Sequence, residues 1–239
     1  MQIVDDTYLL VRTRNPGKIT RSIKTSDIHS SDGDISTVSV YWDLHAAQTL
    51  RNLKIKNVPS PILRDYKWPG LYKPMAHQVT TAEFLTLNTR AFCFNEQGTG
   101  KTASAIWASD YLMTEGYIAR VLVVCPLSIM QAAWQRDLFQ FAIHRKVGVA
   151  HHSSREKRKE IISGDYEYVI INYDGVSICL DEIMSGMFDL IIIDEANAYK
   201  NPSTQRWKAM KKLITNNTWL WMMTGTPAAQ SPTDAFGIG

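Results

Sequence analysis

Two rhythms of apolar and polar positions divide the chain. Up to about Pro69-Gly70 the apolar residues come in short alternating stretches, "TYLLVRTR", "ITRSIKT" and "STVSVYW". Alternation with period two predicts half-buried strands of an antiparallel sheet. Between the second and third stretches, "SDIHSSDGD" is polar and rich in turn formers, which predicts a long hairpin loop. "DLHAAQTLRNL" follows, with Asp43 placed to cap a helix and Leu44, Ala47, Leu50 and Leu53 spaced by three. That spacing predicts a short amphipathic helix. Pro59, Pro61, Pro69 and Gly70 mark a linker. The expectation for residues 1–70 is a small β-β-β-α accessory domain.

From Leu71 the rhythm changes. Continuous apolar runs ("RAFCF", "RVLVVC", "VGVA", "YVIINY", "DLIIID", "TWLWMMT") alternate with helical stretches such as "TASAIWASDYLMTEG", "SIMQAAWQRDLFQFA", "REKRKEIISG" and "TQRWKAMKKLI". Uninterrupted apolar strands separated by helices predict an α/β fold, a parallel sheet covered on both faces. Such sheets bind ligands beyond the carboxyl ends of their strands, so the chemistry is expected just after each apolar run.

Composition narrows the picture. The 239 residues are 45% apolar, enough for a medium domain with an appendage. No run is long and apolar enough for a transmembrane helix, and "MQIVDDTYLL" lacks the pattern of a secretory signal. Cys93, Cys125 and Cys179 lie far apart in apolar strings and are expected as reduced core residues of a cytoplasmic protein. The net charge of +3 permits nucleic-acid binding without demanding it. Residues 1–70 hold ten basic residues (Arg12, Arg14, Lys18, Arg21, Lys24, Arg51, Lys54, Lys56, Arg64 and Lys67) against seven acidic ones, which accounts for the whole excess. That region is expected either to recognise branched or duplex DNA or to serve stability or partner docking.

The candidate chemistry sits where the strands end. "NEQGTGKT" joins the expected strand "RAFCF" to the helix that follows. Glycines there let backbone N–H groups converge on phosphate oxygens, the helix N-terminus adds positive potential, and Lys101 can reach the terminal phosphates. Gln97, Gly98, Thr99, Gly100, Lys101 and Thr102 are therefore candidate nucleotide ligands, with the Thr102 hydroxyl a candidate for Mg²⁺. The strict pattern wants glycine where Asn95 stands, so only its second half matches. At the end of "DLIIID", Asp194 and Glu195 place two carboxylates after a buried run, which is costly unless a cation or a proton transfer uses them. Asp194 is assigned to Mg²⁺ and Glu195 to the attacking water.

Six stretches in order then give the chain a resemblance. "YKPMAHQ" resembles the glutamine motif of helicases, in which Gln78 reads the adenine edge, and "NEQGTGKT" resembles motif I. "VVCPLSIMQAAW", with Pro126, Ser128 and Trp134, resembles the next motif. "YVIINYD" resembles the segment before motif II, "DEANAYKN" resembles motif II, and "MTGTP", with Thr224, Gly225, Thr226 and Pro227, resembles motif III. Residues 71–239 thus resemble the first RecA-like lobe of a superfamily 2 helicase, of the SWI/SNF-like DNA translocases. The loop and the tail are similar to forms carried by bacterial viruses.

The resemblance implies an ATP-dependent DNA translocase or helicase. Its partners would be ATP, Mg²⁺, DNA (duplex or branched rather than RNA) and a second RecA-like lobe that supplies arginines; the protein is expected as a monomer. No arginine-rich motif follows "AFGIG", so this lobe alone is expected to hydrolyse ATP slowly or not at all. Lys101, Asp194 and Glu195 are the implied catalytic residues. Ser128, Asn197, Thr224, Gly225 and Thr226 couple hydrolysis to DNA. Tyr72, six positions before Gln78, is placed to stack on adenine or to fill a surface joint. Asn197 stands where the family has histidine, and the residues after "TGTP" depart from its pattern. An RNA helicase, or a lobe that binds nucleic acid or a partner without turnover, are the alternatives. "HHSSREKRKE" and "WKAMKKL" read first as solvated helix faces and second as phosphate-tracking patches, with a metal site a further alternative for the first.

Overall fold

The computed structural model describes residues 1–225. Two compact units emerge: residues 1–67 with 86–88, and residues 68–85 with 89 onward.

In the first unit, β1 (Gln2–Val4), β2 (Tyr8–Thr13), β3 (Ser26–Asp32) and β4 (Ile35–Tyr41) form an antiparallel sheet in the order β1-β2-β4-β3. Register sets Leu9 opposite Val40 and Val11 opposite Val38, so one face of the sheet is apolar and buried. α1 (Pro16–Ser22) packs on β3 and β4 and buries Ile19, and α2 (Leu44–Asn52) buries Leu44, Ala47 and Leu50. Asp43 caps α2 as expected, its Oδ1 accepting the Ala46 N–H at 2.7 Å. A short helix, α3 (Ile62–Asp65), ends the unit's first segment.

Two expectations for this unit are corrected. "ITRSIKT" is mostly helix, because Pro16 at the first helical position presets the backbone and Ile19 and Ile23 share one face at a spacing of four. The same residues fit period two equally well, which is why the pattern misleads. "SDIHSSD" is not a loop but β3, paired along β4 through a turn in which Gly33 takes φ +55°. After Ser26 every residue of β3 is exposed, so backbone hydrogen bonds hold the strand and no apolar pattern announces it.

In the second unit, β5 (Arg90–Cys93), β6 (Val121–Cys125), β7 (Val147–Val149), β8 (Tyr168–Asn172), β9 (Leu190–Asp194) and β10 (Trp219–Met223) form a parallel sheet in the order β5-β10-β9-β6-β8-β7. β6 and β9 are buried at every position, as strands covered on both faces must be. The covering helices are α4 (Ala76–Thr86), α5 (Lys101–Thr114), α6 (Arg136–Phe141), α7 (Arg155–Ser163), α8 (Tyr173–Ile178), α9 (Leu180–Ser185) and α10 (Gln205–Leu213). The expected α/β architecture is therefore present, and all three cysteines are buried free thiols. The long helix expected from Ser128 is instead a 3₁₀ turn (Leu127–Ile129), a π-helical stretch (Met130–Gln135) and then α6. Its inward residues Met130, Trp134 and Leu138 are all buried. Among the described residues no helix is long and apolar enough to cross a membrane.

Candidate nucleotide and coupling site

Parallel register brings the candidate residues together. Met223 on β10 pairs with Cys93 on β5 and with Asp194 on β9. Three neighbouring strands thus end at one level. From them emerge the glycine loop, the carboxylate pair and Thr224.

The loop runs from Asn95 to Gly100 and delivers the chain into α5. Gly100 adopts φ +74° at the helix start and offers no side-chain cap, so the first N–H groups of α5 have no partner within the helix. The left-handed φ of Gly100 is a conformation that L side chains rarely adopt, and a Cβ there would press on the Gln78 amide, so glycine suits this turn. Lys101 is buried, and its ammonium donates to the carbonyls of Asn95 and Glu96, both at 2.9 Å. One of its three N–H donors is left for an anion. Thr99 closes the loop on itself, its hydroxyl donating to Glu96 O at 2.8 Å. Gln97 is exposed and Thr102 half-buried.

Asp194 is buried, and both its oxygens are held. Oδ2 accepts the indole N–H of Trp134 at 2.8 Å, and Oδ1 accepts the Glu195 N–H at 3.0 Å. Burial pushes its carboxyl above the ordinary carboxylate range; the Trp134 hydrogen bond opposes this, the Glu195 charge adds to it, and the Lys101 charge opposes it. Glu195 takes φ +52°, an uncommon conformation for a non-glycine residue and a form of strain that gathers at functional sites. The Tyr173 phenol spans the turn, donating to Asp194 O at 2.6 Å. The Thr224 hydroxyl donates to Glu195 Oε2 at 3.4 Å, and the Thr224 N–H donates to Cys93 O at 3.1 Å. A Cβ on Gly225 would lie 2.9 Å from Gln97 Cγ, so the stretch after β10 lies against the glycine loop.

Not every candidate joins this cluster. The hydrogen bond between the carboxylate turn and Thr224 comes through Glu195. Asn197 is half-buried, and among the described residues its side chain bonds neither Thr224 nor Gly225. Tyr72 is 63% exposed, with no hydrogen bond or ring contact to the loop among the described residues. Ser128 is exposed in its 3₁₀ turn after β6. Thr226 and Pro227 lie outside the described residues. Trp134 and Tyr173 stood in the quoted motifs without a chemical role, and their partnership with the Asp194 turn spans 60 and 21 positions. The indole in an otherwise apolar stretch was the available signal, since a buried indole N–H needs an acceptor.

The donors fit Mg²⁺. A carboxylate and a hydroxyl are hard oxygen ligands, and a magnesium ion takes one or two such groups beside substrate phosphates and water. Although each Asp194 oxygen already accepts one N–H, a carboxylate offers about four lone-pair sites in all, so capacity remains.

Comparison with known proteins places the chain in a family. A family profile described as "SNF2-related domain" matches residues 77–238. The chain is similar to the uncharacterized ATP-dependent helicase YqhH of Bacillus subtilis, 24% identical over 203 residues that cover 82% of this chain and 34% of that one. It is also similar to the helicase SWR1 of Candida albicans, 28% identical over 215 residues, 85% of this chain and 12% of that one. Among solved structures, the Sulfolobus solfataricus SWI2/SNF2 ATPase core in complex with dsDNA superposes with a TM-score of 0.61 at 26% identity, covering 72% of this chain and 36% of that one. The chain spans about a third or less of the length of these proteins. With the profile covering most of its length, the chain belongs to the SNF2-related domain family.

Proposed function

We propose that this chain is the ATP-binding first motor lobe of an ATP-dependent DNA translocase, joined to an accessory unit. The observation that carries the reading is the common level of three strand ends, which sets the glycine loop, Asp194-Glu195 and Thr224 side by side. The loop N–H groups and Lys101 bind the phosphates, and Gln78 faces the base from α4. Thr102 and Asp194 would hold Mg²⁺, which supplies charge neutralisation on the phosphates when bound. Glu195 orients the attacking water and accepts its proton. The Thr224 hydroxyl, which donates to that carboxylate, gives the stretch after β10 a means to sense it.

DNA is the substrate this reading favours. The 3₁₀ turn with Ser128 exposes a hydroxyl and backbone groups beyond β6, donors that suit phosphates and are blind to sequence. A second lobe completes the site by supplying arginine, which in phosphoryl transfer is worth about three to five powers of ten in rate. Residues 1–67, which carry the whole basic excess, are assigned to DNA recognition. The test is strand separation and ATP turnover by the full-length protein on matched DNA and RNA duplexes. Dependence on DNA supports the reading, and strict dependence on RNA overturns it.

A further inference from the structure

The glycine loop is strapped at both ends to a single helix. At its start, Asn95 Nδ2 donates to Thr81 Oγ1 at 2.8 Å. At its end, Thr99 O accepts His77 Nε2 at 2.9 Å and Gln78 Nε2 at 3.5 Å. Thr81, His77 and Gln78 share one face of α4 at spacings of three and four. Because Thr99 O can only accept, His77 carries its proton on Nε2.

The start of the strap has a fixed polarity. Thr81 has one hydroxyl proton, and it goes to His77 O at 2.8 Å. What remains on Oγ1 is lone pairs, so the partner must donate. Thr81 itself is largely buried, and its hydrogen bond to Asn95 is half-buried. An amide at position 95 meets the requirement, whereas glycine, the residue of the strict phosphate-loop pattern, could not. Asn95 also presents its carbonyl to Lys101 at 2.9 Å. One residue therefore fixes the loop to α4 by its side chain and holds the phosphate-reaching lysine by its backbone.

We propose that Asn95 and Thr81 form a positioning pair that holds the start of the phosphate loop in register with Gln78, so that base and phosphates are read by one preorganised part. The departure from glycine at position 95 is then functional, and its partner is the hydroxyl three positions after Gln78. The inference rests on the nucleotide-binding reading of the same loop.

The test is calorimetric titration of the full chain with ATP and ADP in the presence of Mg²⁺, using Asn95→Ala, Thr81→Val, the double variant and Thr81→Ser. Thr81→Val keeps the shape and removes the hydroxyl; Thr81→Ser keeps the hydroxyl. Each of the first two is expected to weaken both nucleotides about fivefold, the worth of one hydrogen bond. The double variant should be no weaker than either single one, and Thr81→Ser should bind like the unmodified protein. If the unmodified protein binds ATP and Asn95→Ala and Thr81→Val bind equally well, or if their effects multiply in the double variant, the positioning pair is overturned while the nucleotide reading stands. If Thr81→Ser weakens binding as much as Thr81→Val, the hydroxyl is not the cause and the pair is overturned again. If the unmodified protein binds neither nucleotide, the nucleotide reading falls and the pair falls with it.

Discussion

The two units of this chain are sheets built on opposite plans. In the first, β2 and β4 alternate buried and exposed residues and β3 lies almost wholly in solvent. In the second, β6 and β9 are buried at every position. A strand exposed on one face can tolerate polar substitution along half its length. A strand covered on both faces can release polar groups only where it ends. The second plan therefore forces the chemistry of the chain to the strand termini, and the glycine loop, Asp194-Glu195 and Thr224 all lie there.

The contrast can be broken in several ways. The largest effect is expected at the strand ends. In the full-length protein, Glu195→Gln should lower ATP hydrolysis by about two to four powers of ten while ATP still binds, as loss of a general base does. Phosphate-release kinetics beside a binding titration check both halves, and an equal loss of binding would contradict the assignment. Next comes the core. Ile192→Ala in β9 should cost about 2–5 kcal/mol in urea unfolding, whereas Ile28→Ala on exposed β3 should stay within about 0.5 kcal/mol. Similar costs at the two sites would remove the distinction between the sheets.

Two smaller effects sharpen it. The Asp194 carboxyl is raised above its ordinary value of 3.8 by burial, and it must be ionised to serve a cation. Affinity for Mg²⁺-ATP should therefore fall as pH drops through a value above 3.8, by up to tenfold per pH unit below it. The sign is opposite for folding: with the native pKa raised, the ionised carboxylate subtracts stability above that pKa, and this loss disappears as pH falls. An acid limb at or below 3.8 would contradict the burial argument. In the first unit, Asp43→Ala removes the cap of α2 and should cost about 1 kcal/mol in thermal or urea unfolding. No loss would show that the cap is idle.

The same contrast explains what the sequence made legible. Apolar runs such as "VLVVC" and "LIIID" announce β6 and β9 because burial on both faces leaves no alternative composition. The end of β9 announces Asp194 and Glu195 for the same reason, whereas Lys101 is announced by the glycine loop after β5. In the first unit, Ile19 and Ile23 fit a helix face and a strand face alike, and Pro16 decided between them. β3 carried no apolar signal at all, so its pairing with β4 was hidden in the backbone. The fine structure of the site was hidden differently. Trp134 meets Asp194 across 60 positions, and Asn95 meets Thr81 across 14. Such partnerships depend on how helices pack on the sheet, and no local pattern encodes them. The contact of Thr224 with Glu195 spans 29 positions and was hidden in the same way.

The central claim is that the strand-end site of the second unit binds ATP and spends it on DNA. ATP hydrolysis by the full-length protein, measured with and without duplex DNA, tests it most directly beside the Lys101→Ala variant. Hydrolysis should be stimulated by DNA and lost in Lys101→Ala. Turnover indifferent to DNA, or unchanged in Lys101→Ala, would contradict it.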